Sequence, residues 1–596
     1  MFDLSLDTRE PGAIGVGGVP EGHDARVLAA IAGNQTSGPL LHIAVDDSRA
    51  ARLAEILGFF AQDLTTVILP AWDCLPYDRV SPNQEIVSRR IASLEQMASL
   101  AAGSKPSIVI ATINAALQRL PAKDGLATSQ FSIVGGERLD LDALQGFLAK
   151  NGYSRTQTAR EGGEYAIRGD IVDLFPPGAE EPCRIDLFGD EVERIRLFDA
   201  LSQRTSGAVE RIDLSAMGEL FLDEVSIERF RASYRRQFGA VTDDDPLYEA
   251  VSAGRRYAGM EHWLPLFHDS LETIFDYLPG APISLDPQID QARAERLAQI
   301  ADFHEARLTL QEVERKAKAP IYKPLPPDAL YLTEDEWQQR IGDRPVAALS
   351  PFAPSPGSGS LDAGGRGGRD FADARNAPEG SLYDAVRVHV ASLKRDGRSV
   401  LIAGYTLGAR DRLAGLLREH GLWEVETAEG LSDAGALEAK RVAAVVLPIE
   451  HGFVAPDLAV ITETDILGDR LTRQPKRRRK AEQFIAEVSA LASGDHVVHV
   501  EHGVGRYEGL ETLSVGGAAH DFVKLIYAEN AKLFVPVENI EVLSRYGSDD
   551  VVVTLDRLGG AAWQARKSRV KKQLKDMADA LMAIAAAREL DQGEVI

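Results

Sequence analysis

Residues Cys183–Phe198 read CRIDLFGDEVERIRLF. Two runs of alternating apolar and polar residues flank Gly189-Asp190, a dipeptide suited to a two-residue turn, so the stretch is expected to be a β-hairpin. Successive side chains of a strand point to opposite faces. Ile185 and Leu187 therefore take one face, which is core, and Arg184, Asp186 and Phe188 take the other. Upstream, GEYAIRGDIVDLFPPG (Gly163–Gly178) places Arg168 on a candidate neighbouring strand, with Gly169 marking a bulge or turn. Arginine and aromatic side chains on a polar strand face are typical interface anchors, although an ordinary solvated sheet face has the same composition. From the residues alone, both readings stand.

Outward from this hairpin the chain is long and mixed. Its 596 residues suggest about four domains as a soft prior. A formal net charge of −24 excludes a general nucleic-acid coat, so any nucleic-acid contact must be local. Two cysteines, Cys74 and Cys183, cannot make a disulfide framework or a cysteine-rich zinc site. No apolar run is long enough to span a membrane and the N-terminus has no leader pattern, so a cytoplasmic protein is expected. Residues 1–130 alternate buried-strand runs, LLHIAV (Leu40–Val45), TTVILP (Thr65–Pro70) and SIVIAT (Ser107–Thr112), with helical patterns, which implies a mostly parallel sheet. Residues 351–370 are rich in Gly, Pro and Ser and read as a flexible linker. A second small α/β unit follows, with strands expected in SVLIAGYT, AAVVLP and LAVITETDI, and then the basic run Lys476–Lys480. Residues 490–546 carry strand pattern with glycine turns, as in a small barrel.

That last region opens with DHVVHVEHGVGRYEGLETL (Asp495–Leu513), whose three histidines raise the question of a metal. On a strand, His496 and His502 share a face but lie about 20 Å apart at ~3.3 Å per residue. His499 and Glu501 point the other way, and the HExxH spacing is absent. No metal site is expected. If alternation holds, Tyr507, Glu511 and Leu513 share one face, so Leu513 sits beside a charge. Such a leucine can anchor a partner or be one of the many singly exposed leucines of any surface.

A phosphate cradle of the GxxxxGK[ST] kind is missing, because the dipeptide Gly-Lys occurs nowhere. The nearest imitation, GVGGVPEGHDARVL (Gly15–Leu28), ends in Glu21, Gly22 and His23, and a carboxylate there repels phosphate. No acidic helicase box follows a strand either. No catalytic residue is assigned, and no cofactor is expected in this chain. The final segment has an apolar stripe at Val570, Leu574, Met577, Leu581 and Ile584, as in an amphipathic helix. Its opposite face offers Arg566, Lys567, Arg569 and Lys571, either as DNA contacts or as a solvated basic face.

Several of these stretches together resemble one family, the bacterial transcription-repair coupling factors. The run Asp495–Leu513, with FVKLIYAENAKLFVPVENIEVLSRY (Phe522–Tyr546), is similar to their RNA polymerase-interacting domain and to CarD-like regulators. The hairpin region is similar to their second domain and to that of the excision-repair protein UvrB. PAWDCLPYDRVSP (Pro70–Pro82), EHWLPLF (Glu261–Phe267) and EHGFVAPDLAVITETDILGDR (Glu450–Arg470) extend the resemblance along nearly the whole chain. It implies a multidomain α/β fold: a UvrB-like, degenerate helicase-fold module at 1–130 and 216–345, interrupted by an α+β UvrA-binding domain at 131–215. A linker at 346–380, a small α/β domain at 381–472 and a basic linker at 473–488 follow. A Tudor-like, SH3-like β-barrel at 489–556 and a long connecting helix at 557–596 complete it. The resemblance implies UvrA binding through Arg168, Arg184 and Phe188. It also implies binding to the β subunit of RNA polymerase through Leu513, with Tyr507 and Glu511 beside it. ATP, Mg²⁺ and double-stranded DNA upstream of the polymerase would belong mainly to a helicase motor that follows in the family, and the sequence stops at Ile596 before it. The alternative is a stand-alone CarD-like regulator with a vestigial UvrB-like region.

Overall fold

The computed structural model describes residues 4–6, 9–36, 38–100, 105–124, 131–160, 162–177, 179, 181–200, 203–241, 245–317, 321–376, 382–431, 442–468, 496–499, 503–515, 518–536, 543–545 and 555. It divides into two units, Met1–Leu471 and Thr472–Ile596. No helix among the described residues is long and apolar enough to cross a membrane.

The first unit is built on a seven-stranded sheet. Its order is Leu361–Asp362, Gly12–Gly17, Pro345–Leu349, Ile283–Leu285, Leu40–Ala44, Ser107–Thr112 and Thr65–Leu69. Every neighbouring pair is parallel. Leu40–Ala44 and Ser107–Thr112 are buried at every position, as parallel strands covered on both faces must be. On one side lie the helices His23–Gly33 and Asp47–Phe60, through Leu28, Ile31, Leu53 and Leu57. On the other lie Ile91 and Leu94 of the helix Gln84–Ser99, with Phe275 and Trp337.

Between the fourth and fifth of these strands in chain order the polypeptide leaves to build a second sheet. Its order is Thr205–Val209, Glu191–Phe198, Cys183–Phe188, Ile171–Leu174, Glu164–Arg168 and Ser154–Arg155. It is antiparallel except for the last pair. The helix Leu141–Lys150 starts at Asp140, whose carboxylate accepts from the N–H groups of Asp142 and Ala143 at 3.0 Å each. Its Leu144 and Leu148 join Ile185, Leu187 and Ile195 in a core on one face only. The opposite face is left to solvent, which is why the strands alternate in sequence.

A third, mixed sheet runs Arg366–Gly367, Phe453–Val454, Leu458–Thr462, Ser399–Gly404, Val442–Val446 and Val425–Thr427. The run LAVITETDI is not strand throughout. Thr462 ends the strand and caps the helix Glu463–Leu467, with Asp465 closing a capping box. The buried Asp465 carboxylate also accepts from the Gly452 N–H at 2.8 Å.

The segment expected as a free linker at 346–380 is not one. Pro345–Leu349 is an inner strand of the first sheet. Leu361–Asp362 pairs with Gly12–Gly17, Arg366–Gly367 pairs with Phe453–Val454, and Phe371 is fully buried. Some of the glycines here serve close approach. A Cβ on Gly368 would stand 2.8 Å from the backbone of Gly452, and one on Gly364 2.9 Å from Pro456. The two sheets that the segment joins share one core, in which Leu28 and Ile31 meet Leu401, Val445, Phe453 and Val460. Arg26 forks onto Asp457 across the same seam at 3.1 and 2.6 Å.

Two of the family-like stretches are packing motifs. Trp72 and Tyr77 of Pro70–Pro82 lie in one aromatic core with Trp263 and Phe267 of the turn Met260–Leu266 and its end. Gly259 supplies a φ of +76° there, and a Cβ on it would stand 2.8 Å from the Arg79 backbone.

The second unit holds a five-stranded antiparallel sheet. Its order is Lys532–Pro536, Ala518–Ile526, Gly503–Val515, His496–His499 and Leu543–Arg545. Val497, Tyr507, Val523, Leu525, Tyr527 and Val535 make its core. The basic linker at 473–488 and the helix expected at 557–596, with Arg566, Lys567, Arg569 and Lys571, lie outside the described residues.

Candidate protein-docking surfaces

On the solvent face of the second sheet, Asp173 is the centre. It stands directly opposite Arg184 in the ladder, and its side chain is fully buried. Arg184 Nε and Nη2 donate to its two oxygens at 2.6 and 2.9 Å, a bidentate fork. The guanidinium also lies 4.8 Å over the Phe198 ring. Arg168 Nη2 donates to the same carboxylate from the next strand. Arg184 is 19% exposed and Arg168 51%. One is thus a fixed support and the other reaches outward. Gly169, at φ +61°, makes the turn between the strands of Arg168 and Asp173 possible.

Alternation along Cys183–Phe188 is as expected, with Cys183, Ile185 and Leu187 buried. Phe188 is 80% exposed at the strand end, just before the Gly189-Asp190 turn. A large aromatic held in water beside ordered arginines has no packing role in this module. Arg196 continues the face, donating to Asp186 at 2.8 Å, and Arg194 stands opposite Asp186 in the register. This face therefore collects four arginines and two aspartates within a chain whose net charge is −24. Sequence reasoning missed Asp173. Its signal was a lone carboxylate between Val172 and Leu174 in an otherwise apolar strand.

In the second unit, Tyr507 is displaced from the face on which alternation put it. The register slips between Tyr507 and Gly509, where two residues oppose one. Past this bulge the parity is reversed. Tyr507 pairs with the buried Leu525 and is itself 8% exposed, part of the core. Its phenol is pushed upward by burial. Glu511 stays at the surface and meets Lys524 Nζ at 3.0 Å, with Glu508 3.6 Å from the same ammonium. From Gly509 to Val515 the register is unbroken, so Leu513 keeps the parity of Glu511, opposite His520. Of the histidine cluster, His499 is buried and pairs with Gly503, while Glu501 and His502 lie outside the described residues.

The glycine-rich stretch Gly15–Leu28 does have the strand–loop–helix layout of a phosphate cradle. Its donors are used internally. The N–H groups of Gly22 and Ala25 donate to Asp24 Oδ1 at 2.9 and 2.6 Å. The other Asp24 oxygen accepts from Arg49, which also reaches Asp286 at 3.2 Å. Gly18 N–H donates to Phe352 O at 2.8 Å, and His23 Nε2 lies 3.1 Å from Ala363 O. A Cβ on Gly17 would stand 2.7 Å from Phe352 O, so residues 352–365 are laid against the loop. Glu21 turns outward to Arg52 at 3.2 Å. Asp24, not Glu21, is thus the acid at the helix start, and it occupies the N–H groups that a phosphate would need. These residues do not fit a nucleotide.

Comparison with known proteins completes the picture. Three family models match, described as the UvrB interaction domain over residues 131–220, the MFD D3 domain over 393–466 and the CarD-like/TRCF RID domain over 491–547. The chain is 33% identical over 578 residues to the transcription-repair-coupling factor of Escherichia coli K12, covering 96% of this chain and 48% of that protein. It is 31% identical over 589 residues to that of Haemophilus influenzae, covering 97% and 49%. With that of Bacillus subtilis the figures are 25% over 625 residues, 97% and 50%. The chain spans about half the length of the curated relatives it matches.

Proposed function

We propose that this chain, which is similar to the transcription-repair coupling factors along nearly all of its length and matches three family models in order, acts as a two-handed adaptor of transcription-coupled nucleotide excision repair. One hand is the solvent face of the hairpin module, which takes UvrA. The other is the strand Gly503–Val515, which takes the β subunit of RNA polymerase through Leu513, with Glu511 at its side. The sheet around that strand closes into the Tudor-like barrel of the family. Contact with double-stranded DNA falls to the basic segment at Arg566, Lys567, Arg569 and Lys571, and ATP-driven movement falls to helicase domains of longer relatives. The protein acts in the cytoplasm.

The observation that carries this reading is the hairpin face. Arg168 and Arg184 converge on one buried carboxylate, and Phe188 stands out in water beside them. A preformed arginine pair on the same strand face as a phenylalanine 80% exposed is the make-up of an interface anchor.

The test uses purified UvrA and RNA polymerase in separate binding assays. Arg184→Ala is expected to weaken UvrA binding at least tenfold and to leave polymerase binding unchanged, and Leu513→Arg to do the reverse. Loss of both partners in both variants would mean misfolding and would end the assignment. Intact polymerase binding without any UvrA binding by the unsubstituted chain would favour a stand-alone regulator.

A further inference from the structure

We infer that Asp173 is a positioning residue of the UvrA-docking face: it joins Arg168 and Arg184 into a single preformed two-guanidinium site. The inference rests on the proposed UvrA reading and adds a residue that touches no partner itself. Its side chain is fully buried, so it presents no surface. Its whole hydrogen-bonding capacity toward side chains goes to the two arginines, one bidentate and one through a single N–H.

The physics is preorganisation. A free arginine side chain loses rotamer entropy when a partner fixes it. Here that ordering is already made. Arg184 is held on one side by the carboxylate fork and on another by the Phe198 ring, with Gln203 Oε1 3.4 Å from its Nη2. Arg168 is tied by one nitrogen only and is half exposed, so the rest of its fork faces outward. Without the carboxylate, two like charges would face each other across the intervening strand Ile171–Leu174 and separate.

Two accounts of Asp173 predict opposite signs. If it merely neutralises the arginines, removing its charge leaves a more positive face and an acidic partner surface binds more tightly. If it positions them, removing it loosens both forks and binding weakens. The experiment measures UvrA affinity for the full chain and for Asp173→Asn, with Phe188→Ala measured in both backgrounds. Asp173→Asn is expected to lower affinity about tenfold while the factor lost on Phe188→Ala stays the same, since Phe188 is not tied to Asp173. Unchanged or tighter binding by Asp173→Asn overturns the inference. Should Asp173→Asn fail to fold, a double-mutant cycle of Arg168→Ala and Arg184→Ala answers the same question. Non-additive losses are expected of a joined pair, and strictly additive ones refute the joining. If Arg184→Ala and Phe188→Ala leave UvrA affinity untouched, it is the docking face itself that is wrong, a result distinct from either outcome above.

Discussion

Phe188 shows what a residue can reveal that its burial class does not. It is 80% exposed, so its removal takes little apolar surface out of any core. Phe188→Ala is expected to change stability by no more than about 0.5 kcal/mol in urea unfolding, yet to reduce UvrA affinity roughly tenfold. A large loss of stability would make it a structural residue. Asp286 is the opposite case. Burial pushes its carboxyl up, but His42, 3.4 Å away, and the Arg49 guanidinium, 3.2 Å away, outweigh burial and bring it down to about 2. A carboxyl depressed in the folded state lends stability above its unfolded pKa, and that stability is lost as pH falls through the folded value. The contribution is on the order of 2 kcal/mol, and it should disappear between about pH 4 and pH 2. Asp286→Asn is expected to flatten the stability curve in that window. An unaltered pH dependence would show that the group is not perturbed.

At the scale of elements, the helix His23–Gly33 begins with its own anion. Asp24 supplies the carboxylate that accepts from the Gly22 and Ala25 N–H groups and pairs with Arg49. Asp24→Ala therefore removes a cap and one member of a largely buried pair. The expected loss is about 2–4 kcal/mol in denaturant unfolding. A change within about 0.5 kcal/mol would mean that the loop holds its shape by backbone contacts alone. The bulge after Tyr507 makes a second point at this scale. A single inserted residue moved Tyr507 into the core, while the backbone register from Gly509 to Val515 runs on without a further slip.

Across the first unit, two sheets that look like separate domains in sequence lean on common ground. Leu28 and Ile31 lie in one core with Leu401, Val445 and Phe453, and Arg26 is bonded to Asp457. They are expected to unfold together. Phe453→Ala should cost about 3–5 kcal/mol and raise hydrogen exchange in Leu40–Ala44 as well as in Leu458–Thr462. Exchange that rises only in the second strand would mean independent folding.

Much of this protein was legible in sequence. The strands Leu40–Ala44, Ser107–Thr112 and Ser399–Gly404 follow from apolar runs, because a strand covered on both faces has no polar side to show. The hairpin and the faces of Arg184 and Phe188 follow from period-two alternation. What alternation leaves undecided is anything set by a distant segment. Glycine and serine at 351–370 look the same whether a chain is loose or threaded tightly between two sheets. Only neighbouring strands and the absence of room for a Cβ distinguish them. Asp173, too, became a support for two arginines only once three strands were laid side by side, since a sequence orders residues along the chain and hydrogen bonds form across it.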